Sequence, residues 1–222
     1  PRPRCGRRWG ATDTPERLLD GGHLTEDEAA APLTALAEDR LPGAVAGAFL
    51  AGLRLKRETA DEIRGFARAM RALARRPDLP EGARAVDIVG TGGDGSGSLN
   101  LSTGSALLAA ASGVPVVKHG TRSVSSRCGS ADVLEALGLA LPLDVAAAGE
   151  SLSQTGCTFV CAPHYHPAMK ALVPVRKALG VRTVFNILGP LTNPAEPPFM
   201  VVGAFSPQVA ELMAEALSGL PV

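Results

Sequence analysis

The spacing of apolar positions changes once along the chain. From residue 14 to residue 76 they recur every three or four residues, the period of helices that bury one face. Val45, Phe49, Leu50 and Leu53 make one such stripe, and Ile63, Phe66, Ala67 and Met70 another. Two helix starts are written out: Thr25-Glu-Asp-Glu28 and Thr59-Ala-Asp-Glu62 each set a threonine three residues before a glutamate, the spacing of a capping box. Pro42 fits the first turn of the helix between them, and Pro77 stops the last one. No strand pattern occurs in this stretch. It predicts an all-helical domain over 13–78, behind a disordered basic tail at 1–12 that carries Arg2, Arg4, Arg7 and Arg8. Residues 77–82 read as a linker.

Beyond the linker, short apolar runs alternate with helical stretches. Strands are predicted at 86–89, 114–117, 157–162 and 198–205, and helices at 103–112, 130–137, 145–154, 167–179 and 207–218. Alternation of this kind predicts an α/β domain over 83–222, with a mostly parallel sheet and helices on its faces. Ligands of such sheets bind at the carboxyl ends of the strands. The loops after Val89, Val117 and Ala162 should therefore surround one crevice.

The first of these loops is the most informative. Gly90, Gly92, Gly93, Gly95 and Gly97 fall within eight residues, between a strand and a helix N-terminus. Glycine lets backbone approach a phosphate and adopt positive φ, and a helix N-terminus offers unpaired N–H groups to an anion. Asp94 in the same loop would repel a phosphate unless a cation lies between them, which points to a polyphosphate carried with Mg²⁺. The spacing Gly90-x-Gly92-x-x-Gly95 fits a dinucleotide fingerprint, but the next strand ends in Lys118-His119, where that motif needs an acid. Gly90-x₄-Gly95 also begins like a P-loop, with Ser96 in the place of its lysine.

The second loop begins Lys118-His-Gly-Thr-Arg122-Ser-Val-Ser-Ser126, cations and hydroxyls suited to phosphate oxygens. The third contains His164 and His166, with Lys170 and Arg176 on or near the helix that follows. Arginine is the natural bidentate partner of a substrate carboxylate. No third ligand accompanies the two histidines, so a metal site there is not expected. No nucleophile motif is evident, so the chemistry expected is positioning and charge stabilisation of a phosphorylated substrate.

Composition narrows the alternatives. Lys+Arg and Asp+Glu both number 22, so nothing global points to nucleic acid or a membrane surface. No apolar run approaches the roughly 18 residues of a bilayer span, and no secretory signal is visible. Cys5, Cys128, Cys157 and Cys161 lack zinc spacing, and read as buried free thiols of a cytoplasmic protein. Aromatic residues are only 4% of the chain, so the core must be built from Ala, Leu and Val.

Eight segments then fall in order: Gly90-Thr-Gly-Gly-Asp94, Asn100-Leu-Ser-Thr103, Lys118-His-Gly, Arg122-Ser-Val-Ser-Ser126, Gly129-Ser-Ala-Asp132, His166-Pro-Ala-Met-Lys170, Pro174-Val-Arg176 and Phe185-Asn-Ile-Leu-Gly-Pro-Leu-Thr-Asn-Pro194. Together they resemble anthranilate phosphoribosyltransferase, from about residue 14 to the end. The resemblance implies transfer of a phosphoribosyl group from 5-phosphoribosyl 1-diphosphate (PRPP) to the amine of anthranilate, with Mg²⁺. It implies that PRPP is bound by Gly90, Gly93, Asp94, Ser98, Asn100, Leu101, Ser102, Thr103, Lys118, His119, Gly120, Arg122, Ser123, Val124, Ser125, Ser126 and Ser130, with Ser102 touching Mg²⁺. Gly90, His119, Thr121, His166 and Arg176 would meet anthranilate, Arg176 through the carboxylate. It further implies a homodimer through the helical domain, and packing of residues 167–191 on that domain. Thr121 stands where the family has asparagine, keeping a hydroxyl and losing an amide. The family's Asp-Glu pair for a second Mg²⁺ would lie past Val222, so the sequence as it stands resembles a C-terminally truncated member and predicts weak turnover or none. Two other readings are a pyrimidine nucleoside phosphorylase of the same fold, and a non-catalytic PRPP-fold binder with nucleic acid on its basic tail.

Overall fold

The computed structural model describes residues 13–92, 95–123 and 128–221. The predicted basic tail and the candidate ligands Gly93, Asp94, Val124, Ser125 and Ser126 lie outside the described residues.

Four helices come first: α1 (Asp13–Leu19), α2 (Glu26–Ala37), α3 (Gly43–Lys56) and α4 (Ala60–Ala72). Both capping boxes form, Thr25 with Glu28 and Thr59 with Glu62, each satisfying two backbone N–H groups at a helix start. α2 and α4 touch closely because Gly65 is a glycine: a Cβ there would lie 2.2 Å from Glu26 O and 2.8 Å from Ala29 Cβ. Phe49 and Phe66 meet edge to face at 6.0 Å in the centre of the bundle.

The second part runs β1 (Val86–Gly90), α5 (Leu101–Ala111), β2 (Val116–Gly120), α6 (Ser130–Ala136), α7 (Val145–Thr155), β3 (Cys157–Cys161), α8 (Ala162–Tyr165), α9 (Leu172–Leu179), α10 (Phe185–Leu191), β4 (Phe199–Gly203) and α11 (Pro207–Leu217). The sheet order is β3-β2-β1-β4 and every pairing is parallel. The chain moves outward from β1 to β3, then returns to the other side of β1. That reversal puts a switch point between β1 and β4, where Gly90 pairs with Gly203.

α10 joins the two parts. Val184, Phe185, Leu188 and Leu191 share one buried core with Phe49, Ile63 and Phe66 of the bundle, as do Leu172 and Met213. Arg64, Arg68 and Arg71, a single stripe of α4, donate to the carbonyls of Glu215, Gly219 and Leu191, each at 3.0 Å. Cations on carbonyls at helix ends answer the negative end of the helix dipole.

Four sequence-based expectations change. The strand expected at 114–117 is shifted to Val116–Gly120, because Pro115 has no N–H for the ladder; Lys118, His119 and Gly120 are therefore strand residues. The helix expected over 167–179 is broken into a 3-10 turn, Pro167–Ala171, and α9. Pro174 accounts for the break: it would clash with the carbonyl four residues earlier inside a continuous helix, and is tolerated in the first turn of α9. α10 has no counterpart in the sequence reading, since Gly189 and Pro190 disguise it. The described cysteines are not buried as expected, Cys128 being exposed and Cys157 and Cys161 half-buried at the edge strand β3.

Candidate active site

The glycine loop leaves the sheet at the switch point. Thr91 N donates to Gly203 O at 2.9 Å, and a Cβ on Gly90 would stand 3.4 Å from the same oxygen. Gly92, Gly95 and Gly97 have φ of 63°, 71° and 62°, the left-handed region where glycine carries no penalty. Ser98, further along, is exposed and its hydroxyl accepts from Ser96 Oγ at 2.9 Å.

The loop enters α5 through Asn100, whose amide does not cap the helix but donates to Cys128 O at 3.3 Å. No side chain caps α5; Leu101 N donates to Leu99 O at 2.7 Å and Thr103 N to Asn100 O at 3.0 Å, which leaves Ser102 N, among the described residues, as the N–H at this helix start for an anion. Leu101 points outward, 66% exposed. Around this terminus, Thr103 Oγ1 donates to Ser130 Oγ at 3.0 Å. Lys118 Nζ reaches Ser102 Oγ at 3.3 Å and Ile88 O at 2.6 Å. Lys118 is 2% exposed, and burial pulls its ammonium below the usual lysine range, with the Asp87 charge opposing. The structure thus brings Asn100, Ser102, Thr103, Lys118 and Ser130 together.

Asp132 closes the loop after β2. Its Oδ2 accepts from Ser123 N at 2.9 Å and Gly129 N at 2.7 Å, and these bonds hold the carboxyl below the usual range. Gly129 permits the closure, since a Cβ there would fall 2.4 Å from Ser123 N. Arg122 is turned onto the carboxylate of Glu135, with Asp132 at 3.6 Å. It would have to leave that pairing to reach a phosphate. Gly120 ends β2 against Phe159, where a Cβ would meet Cε2 at 3.0 Å.

A second cluster lies beside the first. His119 is 4% exposed and its Nδ1 lies 3.1 Å from Gly189 O. A carbonyl only accepts, so Nδ1 carries the proton and Nε2 is left as a lone pair, buried and without a partner among the described residues. Burial, with His166 adding to it, depresses the His119 pKa to about 3, so the ring is neutral. His166 packs against it with ring centroids 5.3 Å apart, and its Nε2 bonds Thr192 O at 3.0 Å. Thr121 is half-buried, and its carbonyl accepts from Ala131 N at 3.3 Å. Arg176, half-buried on α9, lies 5.1 Å from the Phe185 ring, and no carboxylate pairs with it among the described residues.

Sequence reasoning missed Asp87 and left Asn193 without a role. Both are 0% exposed. Asp87 accepts from His119 N at 3.2 Å and from Asn193 Nδ2 at 2.9 Å. The signal was present: an acid inside Val-Asp-Ile-Val, an otherwise apolar strand. Burial raises the Asp87 pKa to about 6, against the Asn193 hydrogen bond and the Lys118 charge. The folded state thus holds this proton more tightly than the unfolded chain, whose carboxyl titrates near about 4. The contribution is full below about pH 4 and is lost as pH rises through about 6. Denaturant titrations of the chain and of Asp87→Asn should therefore diverge: the stability of the unsubstituted chain relative to the variant rises as pH falls through that window.

Among the described residues no three His, Cys, Asp or Glu side chains cluster to hold a metal ion. One hydroxyl, Ser102 Oγ, is available beside the Lys118 ammonium. Mg²⁺ fits such a site only when most of its oxygens come from substrate phosphates and water. No helix among the described residues is long and apolar enough to cross a membrane.

A family model described as the glycosyl transferase family, a/b domain, matches residues 82–222, and its helical bundle domain matches 13–74. The chain belongs to this glycosyl transferase family. Among its relatives, the anthranilate phosphoribosyltransferase of Desulforudis audaxviator is 52% identical over 208 residues, covering 93% of this chain and 60% of the relative. The solved anthranilate phosphoribosyltransferase of Thermus thermophilus superposes with a TM-score of 0.87 at 48% identity, covering 93% of this chain and 63% of that one. The Saccharomyces cerevisiae enzyme in complex with PRPP and Mg superposes at 0.83 with 27% identity, covering 94% and 62%. The chain therefore spans about three fifths of the length of these family members. The glycosyl transferase fold, a helical domain followed by a parallel α/β domain, is the one the sequence pattern predicts.

Proposed function

We propose that the chain carries the substrate site of an anthranilate phosphoribosyltransferase. The observation that carries this reading is the pairing of two unlike clusters. One is a cation-and-hydroxyl cradle, Lys118, Ser102, Thr103 and Ser130, at the uncapped start of α5. The other is a dry, neutral imidazole, His119, with an unpartnered lone pair. The first suits a pyrophosphate. The second suits a neutral N–H donor, which an aromatic amine provides.

In the reaction the amine nitrogen attacks C1 of PRPP, the bond from C1 to the pyrophosphate oxygen breaks, and the nitrogen releases its proton to the departing pyrophosphate or to solvent. An aromatic amine is already neutral at pH 7, so the site needs no strong base, and His119, with a pKa of about 3, is not one. Its Nε2 accepts the amine N–H and orients the nitrogen. Lys118 and the first turn of α5 hold the charge that gathers on the departing pyrophosphate. Mg²⁺, when bound, adds neutralisation of that same charge. Arg176, which pairs with no described carboxylate, takes the carboxylate of anthranilate. The glycine loop, with Gly90, Gly93, Asp94 and Ser98, and the stretch 118–126 complete the PRPP side; Thr121 and His166 line the acceptor side. The reading extends to a cytoplasmic homodimer joined through the helical domain.

Calorimetric titration with PRPP and Mg²⁺ tests the donor half, and loss of anthranilate fluorescence tests turnover, with Thr121→Asn run beside the unsubstituted chain. Saturable PRPP binding that needs Mg²⁺ is expected. No binding at millimolar PRPP would end the proposal.

A further inference from the structure

Lys118 and His119 are consecutive strand residues, so their side chains point to opposite faces of the sheet. The Lys118 ammonium reaches Ser102 at the start of α5, and the His119 ring reaches Gly189 on α10. A single peptide group, the one ending in His119 N, joins the two. That N–H donates to Asp87 Oδ1 at 3.2 Å. The other oxygen of Asp87 accepts from Asn193 Nδ2 at 2.9 Å, which also donates to Val117 O at 2.9 Å, while Asn193 Oδ1 accepts from Ala195 N at 2.9 Å. Every hydrogen-bonding atom of the Asn193 amide is engaged, and the residue ties the α10–β4 connection to β1 and β2 at once. A buried carboxylate is costly, and a packing role alone would be met by an apolar residue.

We propose that Asp87 and Asn193 are positioning residues, which fix the peptide between Lys118 and His119 and so keep the donor-side ammonium and the acceptor-side imidazole in register. The proposal rests on the functional reading above. It needs neither residue to touch substrate. Asp87 supplies two acceptors at fixed separation, one for β2 and one for the α10–β4 connection. Displacement of either half by a fraction of an ångström would misalign the amine and C1.

The test compares the unsubstituted chain with Asp87→Asn and with the exchanged pair D87N/N193D. In Asp87→Asn an amide N–H must face another donor, either His119 N or Asn193 Nδ2. In the exchange, the amide at position 87 accepts from His119 N and donates to the carboxylate at position 193, which still accepts from Ala195 N; the bond to Val117 O is lost and a carboxylate oxygen faces that carbonyl instead. Two readouts are taken: affinity for PRPP with Mg²⁺ by calorimetry, and the ring ¹⁵N shifts of His119, which report its tautomer. Asp87→Asn should weaken PRPP binding about tenfold or more and move the His119 ring shifts. The exchange should restore the ring shifts and bring affinity back to within about threefold. A folded Asp87→Asn with both readouts unchanged overturns the proposal, as does a folded exchange that restores neither. Should Asp87→Asn not fold, the exchange decides by the same readouts, and failure of both to fold marks the pair as a folding element and also overturns it. An unsubstituted chain that binds no PRPP sinks the functional reading instead, and the ring shifts still decide the positioning.

Discussion

Glu62→Ala is expected to destabilise the fold by about 3–5 kcal/mol, the cost of breaking a buried ion pair from one side. Glu62 is 0% exposed and the Lys56 side chain 2%. Its Oε1 accepts from Leu24 N at 2.8 Å, and its Oε2 from Thr59 N at 2.9 Å and Lys56 Nζ at 2.7 Å. One carboxylate thus caps α4, ties down the entry to α2 and neutralises a buried ammonium. Alanine would leave the ammonium with only His23 Nδ1 and Arg57 O, and would strand two backbone N–H groups. Urea titration measures the loss. Glu28→Ala makes the control: it belongs to the other capping box, but its pair with Arg17 is 45% and 46% exposed, so about 1 kcal/mol is expected. Equal losses in the two variants would show that the burial of Glu62 contributes nothing.

The contrast between these two boxes marks what sequence can report. Thr25-x-x-Glu28 and Thr59-x-x-Glu62 are equally legible, because a cap is built from residues three apart. That one is at the surface and the other at the centre of a buried ion pair depends on Lys56 and Leu24, which no local pattern connects to it. The sheet follows the same rule. Strand and helix alternation was readable because each element has its own period, and the crevice at the strand ends follows from parallel order alone. The register of β2 was not readable, since a lysine and a histidine after a valine run look like a loop; only Ile88 O and Ser102 Oγ, contributed from elsewhere, let Lys118 lie inside the strand. Asp87 and Asn193, 106 residues apart, show the limit most clearly. Asp87 is an isolated acid in an apolar strand and Asn193 one polar residue of a Thr-Asn-Pro stretch, and the reason for either is the other.

Lys118→Met is expected to weaken binding of PRPP with Mg²⁺ by about thirtyfold or more while leaving stability nearly unchanged. The first half follows from the loss of a desolvated charge opposite an anion, about 2–5 kcal/mol. The second half follows from the state of the lysine before ligand arrives. The residue is 2% exposed, its pKa is lowered chiefly by burial, and its two bonds go to a carbonyl and a hydroxyl rather than to a carboxylate. Asp87 attracts it from the other face of the sheet without touching it. The folded chain therefore bears most of the cost of burying this charge and receives little in return until a polyphosphate is bound. Methionine fills the same channel without that cost, and offsets the lost attraction to Asp87. Denaturant titration and calorimetry on the one variant separate the two effects. A fall in stability as large as the fall in affinity would show that Lys118 holds the sheet together. A loss confined to affinity would show a residue held in a costly position for the sake of its ligand.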